Sequence, residues 1–110
     1  MIKIRIERDQ RNEIQAYTVT GHAMTAPHGQ DVVCAAVSAL AQTTILGFYE
    51  VLEQKPDYEI AEGRLECRMM DSLDEKQRRE AAILLKTMLA GFRNIQQQYP
   101  QVIAIEDEEV

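Results

Sequence analysis

The chain has 110 residues and a net charge of −6. Its 45% hydrophobic and 27% charged residues suit an ordinary globular protein and exclude a disordered one. The length predicts a single domain over residues 1–110, because a second would leave neither with a workable core. Glu106, Asp107, Glu108 and Glu109 carry four of the negative charges. The balance speaks against direct nucleic-acid binding and is compatible with a cationic protein partner. The longest mostly apolar stretch, Val32 to Ala41, is short for a membrane span, and Met1–Ile6 lacks the apolar run of a signal peptide. Cys34 and Cys67 form no CxxC pair, which predicts reduced thiols and a cytoplasmic location.

Ile2, Ile4 and Ile6 alternate with Lys3, Arg5 and Glu7 and predict a strand with one buried face. The polar segment Arg8–Asn12 reads as a hairpin loop. Ile14–Thr20 is rich in β-branched residues and reads as a second strand, ended by Gly21. Gly21–Gln30 is a loop by composition. Asp31 then serves as N-cap of a largely buried helix from Val32 to about Gln54. Gly47 inside that helix predicts a close packing contact. Lys55-Pro56-Asp57 stops it. Tyr58–Ala61 and Arg64–Met69 flank Glu62-Gly63 as a second hairpin, with Leu65, Cys67 and Met69 on one face. Ser72 and Glu75 resemble a capping box ahead of a second helix that runs to about Gln98. Tyr99-Pro100 ends it, and Val102–Ile105 reads as a last strand. Glu106–Glu109 reads as solvated charge. The expected class is α+β, with two helices on a mostly antiparallel five-stranded sheet in the order ββαββαβ.

Chemistry concentrates in Gly21–Ser38, GHAMTAPHGQDVVCAAVS. With Asp31 as cap, Cys34 is the third residue of the helix. Unpaired N–H groups and the positive end of the helix dipole favour a thiolate there. His22 has the ordinary pKa of a general base for such a nucleophile. The same N–H groups could serve an oxyanion. Periodicity alone favours plain packing for Cys34, since cysteine in an apolar helix is usually core. Cys67 reads as core. His28 reads as a solvated loop residue, with a second base or ligand as the other possibility. Asp31 has a full account as a cap and a rival one as the group that orients His22. Ser38 lies one turn after Cys34, where it either bonds a backbone carbonyl or lines a site around the thiol. His22, His28, Asp31 and Cys34 are all metal-ligand types, but their spacing matches no standard zinc pattern.

The combination Gly21-His22-Ala23 followed by Gly29-x-Asp31-x-Val33-Cys34-Ala35-Ala36-Val37-Ser38 resembles the bacterial ribosomal-processing cysteine protease family, Prp. The resemblance covers the whole chain. It implies a cysteine endopeptidase that removes the N-terminal extension of a large-subunit ribosomal protein by cutting after an aromatic residue. It implies Cys34 as nucleophile and His22 as general base. Gly21, Asp31 and Ser38 fall at supporting or substrate-binding positions. It also implies a homodimer, a ribosomal protein precursor as substrate, and neither metal nor cofactor. An apolar groove near the helix start, with Met24 and Ala26 in its lining, is the expected source of specificity. Two other classes remain open on the residues themselves. One is a non-enzymatic oligomeric module that binds a basic ribosomal protein, with Cys34 buried and slow to alkylate. The other is a thiol sensor with a reactive Cys34 that cuts nothing.

Overall fold

A computed structural model describes residues 1–21 and 30–110, the side chains of Gln30 and Asp31 excepted. The elements in chain order are strand β1 (Ile2–Arg8), strand β2 (Ile14–Thr20), helix α1 (Gln30–Gly47), a π-helical turn (Phe48–Leu52), strand β3 (Asp57–Ala61), strand β4 (Arg64–Arg68), helix α2 (Glu75–Gln98) and strand β5 (Ile103–Glu109). The order ββαββαβ is therefore as expected. The strands lie as β3-β4-β2-β1-β5. Three neighbouring pairs are antiparallel, and β5 runs parallel to β1, so the sheet is mixed.

The alternation of β1 decides which face of the sheet is apolar. Ile2, Ile4 and Ile6 are buried while Lys3 and Arg5 are exposed. The registers carry that face across all five strands. Ile105 sits beside Ile4, Ile4 beside Val19, Val19 beside Leu65 and Leu65 beside Ile60. A second row joins Ile6, Tyr17, Cys67 and Tyr58. α1 and α2 lie on this face and close the core with Val33, Val37, Ala41, Phe48, Leu85, Met88 and Phe92. Tyr17 is fully buried, and its hydroxyl donates to the Ala41 carbonyl at 2.8 Å, which ties β2 to the middle of α1.

The helices approach each other closely where glycine removes a side chain. A Cβ on Gly47 would lie 3.2 Å from the Leu84 methyls, and one on Gly91 would lie 2.8 Å from Leu40 Cδ1. The contact expected at Gly47 is present, and Gly91 makes a matching one from the other helix. The stretch Val32–Leu52 is a continuous helix, longer than the apolar run read from the sequence. By length and composition alone it is long enough to cross a bilayer. Here its apolar stripe packs on the sheet.

Four boundaries depart from the expectations. α1 begins at Gln30, so Asp31 is its second residue and does not precede it as a cap. The helix ends at Leu52, where Glu53 takes a left-handed conformation and donates its N–H to the Phe48 carbonyl. This stop precedes Pro56 by three residues. The box ahead of α2 is formed by Asp74 and Gln77, not by Ser72 and Glu75. Asp74 Oδ1 accepts from the Gln77 N–H at 2.8 Å, and the Gln77 side chain accepts from the Asp74 N–H at 3.0 Å. The acidic run does not hang free. It forms most of β5, with Asp107 bonded to Arg8 and Arg93 and Glu108 bonded to Arg5.

Candidate active site

One end of the sheet collects the start of β1, the end of β2 and the turn between β3 and β4. Lys3 pairs with Thr20, Thr20 with Arg64, and Arg64 with Ala61 across the two-residue turn Glu62-Gly63. Gly21 closes the corner. Its N–H donates to the Gly63 carbonyl at 3.3 Å, and its φ of +80° is a conformation that glycine adopts without strain. A Cβ there would lie 2.2 Å from the Met1 carbonyl oxygen. Gly21 thus has a structural reason to be glycine, independent of any substrate.

α1 starts at this same end and brings Cys34 over the corner. Cys34 is the fifth residue of the helix, not the third, because the helix starts two residues earlier than expected. Helical side chains lean toward the N-terminus, so the thiol is still directed to the first turn. Cys34 is half-buried, free of any disulfide, and packs against the edge of the core.

Beside it lies a cavity of about 400 Å³. Among the described residues, Cys34, Ala35, Val37, Ser38 and Gln42 of α1 form one wall. Ile60, Ala61, Glu62, Gly63, Arg64 and Leu65 of the second hairpin form the other, over a floor of Ile2, Val19 and Thr20. Ser38 shares the wall with Cys34, as one helical turn predicts. Its hydroxyl accepts from Gln42 Nε2 at 2.8 Å. The hairpin wall was absent from the sequence reading. Its signal was the Glu62-Gly63 turn, which sets the register of β3 on β4 but does not say which helix lies opposite.

Cys67 is fully buried on the core face of β4 beside Tyr17. Burial pushes its thiol up to about 12. The expectation that Cys67 is a core residue holds. His22, Met24, Ala26, His28 and Gly29 lie outside the described residues, and so does the side chain of Asp31. Among the described residues no cluster of His, Cys, Asp and Glu is arranged to hold a metal.

The family model for the cysteine protease Prp matches residues 1–104. A ribosomal processing cysteine protease Prp of Bacillus subtilis is 32% identical over 101 residues, which covers 90% of each chain. Its namesake in Staphylococcus aureus is 26% identical over 107 residues, covering 96% of this chain and 97% of that one. Among solved structures, an S. aureus Prp in complex with a substrate peptide superposes with a TM-score of 0.87 at 24% identity. It covers 98% of this chain and 100% of its own. A Streptococcus mutans protein superposes with a TM-score of 0.86 at 21% identity, over 100% of this chain and 96% of its own. These structures share the fold of two helices on a five-stranded mixed sheet. On the match of the family model and of the B. subtilis relative, the chain belongs to the cysteine protease Prp family.

Proposed function

We propose that this single-domain protease removes the N-terminal extension of a large-subunit ribosomal protein, with Cys34 as nucleophile and His22 as general base. The observation that carries the reading is the position of Cys34. It is half-buried at the start of a long helix, on the wall of a cavity of about 400 Å³ that a peptide segment can enter. A core cysteine has no such opening, as Cys67 illustrates.

In this reaction His22 takes the thiol proton and the Cys34 sulfur attacks the scissile carbonyl. The carbonyl oxygen gains negative charge, and the unpaired N–H groups of the first turn of α1 are the donors for it. Collapse gives a thioester and an amine that leaves with the proton held by His22. Water then attacks the thioester, His22 accepts its proton, and the thiol is restored. His22 follows Gly21 in the chain, and Gly21 sits between Thr20 and Gly63, which border the cavity; this adjacency supports His22 as the base.

Asp31 belongs to the first turn of α1, where a negative charge complements the helix dipole. In this reading Asp31 has the role of orienting His22. Ser38 keeps the wall beside the thiol polar. The cut after an aromatic residue fits a cavity whose floor includes Ile2 and Val19. The same reading includes cytoplasmic action, no cofactor, and a homodimer. Val32 and Leu46 on α1 and Ile83 on α2 are each more than 60% exposed and offer apolar surface for such a dimer.

The test is to incubate the protein with the unprocessed ribosomal protein and weigh the products by mass spectrometry. The parent protein should release one defined N-terminal fragment. Cys34→Ala and His22→Ala should release none over the same time. An intact precursor in the parent sample would refute the ribosomal assignment.

A further inference from the structure

The apolar row Ile105–Ile4–Val19–Leu65–Ile60 crosses the whole sheet on the side that carries the helices. Its members are not equally covered. Ile4 is fully buried and Leu65 is 6% exposed, but Ile60 is 51% exposed. β3 is the outermost strand; Tyr49 of the π-helical turn packs edge-on against its Tyr58, while Ile60, two residues on, stays half-exposed. An isoleucine that points to the core side therefore ends in an open space. That space is the cavity whose opposite wall holds Cys34. An edge strand with a bare isoleucine is a liability unless something covers it.

We propose that Ile60 is a specificity-determining residue. An apolar side chain of the substrate, close to the scissile bond, seats on Ile60 and extends the row that Val19 and Leu65 begin. This rests on the proteolytic reading above and adds to it the surface that selects the side chain. The occupant follows from continuity. Floor and thiol belong to one cavity, so a peptide held for attack by Cys34 passes over the floor. Val19 of the floor and Leu65 and Ile60 of the hairpin wall reward an apolar side chain and offer a charged one no hydrogen bond. The charged groups of the lining are Glu62 and Arg64, both at the β3–β4 turn, and Arg64 is already paired with Glu66 at 2.5 Å.

The experiment measures kcat/KM for a peptide that spans the cut. It is repeated with each apolar residue near the cut changed in turn to serine, on the parent protein, Ile60→Ser and Ile60→Leu. With the unchanged peptide, Ile60→Ser should lose about tenfold, mostly in KM, and Ile60→Leu should stay within about threefold. One serine-substituted peptide should lose much less on Ile60→Ser than on the parent, which marks the side chain that touches Ile60. Alkylation of Cys34 by iodoacetamide should run at one rate in all three proteins, since the thiol and its helix are unchanged. Equal cleavage by Ile60→Ser and the parent would overturn the proposal. So would losses that multiply independently for every peptide, or slower alkylation in Ile60→Ser, which would make Ile60 a support for the thiol. If the parent cut no peptide at all, the proteolytic reading itself would fall. That outcome is distinct from a parent that cuts while Ile60 proves indifferent.

Discussion

Two cysteines in one small chain meet opposite fates because of where the backbone puts them. Cys34 is half-buried on a cavity wall, and Cys67 is sealed under Tyr17 and the helices. With the Cys67 thiol pushed up to about 12, its thiolate at pH 8 is on the order of a thousandfold scarcer than that of an ordinary thiol. Iodoacetamide at pH 8 should therefore label Cys34 alone in the folded protein and both cysteines in denaturant, as read by peptide mass mapping. Labelling of Cys67 in the fold at a comparable rate would contradict its burial. Much of this contrast was legible in the sequence. Cys67 alternates with Leu65 and Met69, while Cys34 follows a Gly- and Pro-containing stretch of sequence with two histidines and an Asp. The exact turn of helix that carries Cys34 was not legible, because Asp31 is as good a first-turn residue as it is a cap.

At the scale of elements, most helices and strands follow from periodicity, and the misplacements come from local competition between similar signals. Ser72-Leu73-Asp74-Glu75-Lys76-Gln77 contains two overlapping boxes, Ser72 with Glu75 and Asp74 with Gln77. Both satisfy the pattern of a capping residue followed three positions later by Glu or Gln. Packing chooses the second. Gln77 Nε2 also donates to the Leu52 carbonyl at 3.3 Å, so starting α2 at Glu75 ties it to the last turn of the preceding helix. Replacing Asp74 with Ala should cost about 1 kcal/mol in urea unfolding, and replacing Ser72 with Ala should cost almost nothing. Equal losses would mean that both boxes share the start of α2. The close approach of α1 and α2 was half legible. Gly47 stands out inside an apolar helix, but its counterpart Gly91 gains meaning only when Leu40 is set against it.

Across the whole molecule, the ends of the chain hold each other. β5 runs parallel to β1 along seven residues, from Ile2 beside Ile103 to Arg8 beside Glu109. A sequence-local signal cannot reveal this pairing, since its partners are about a hundred residues apart, and a run of acids after Ile105 reads as a tail. The acids stay in the sheet because basic side chains lie next to them. Arg8 meets Asp107 through two bonds of 2.7 and 3.0 Å, and Arg93 of α2 reaches the same carboxylate at 2.8 Å. One carboxylate thus joins β1, β5 and α2. The Arg8 bond holds the Asp107 carboxyl below its ordinary range, with the charge of Arg93 acting in the same direction against partial burial. A depressed carboxyl stabilises the fold above its unfolded pKa of about 3.9. That contribution fades as pH falls through this value toward the folded one. Asp107→Asn should then lower the melting temperature at pH 7, and the gap from the parent should close as pH drops below about 4. Arg93→Gln should give a smaller loss with the same pH trend, because Arg8 still holds the carboxylate. A gap that stayed constant from pH 7 to pH 2.5 would assign the loss to strand geometry and leave the ion pairs without a part in fastening β5.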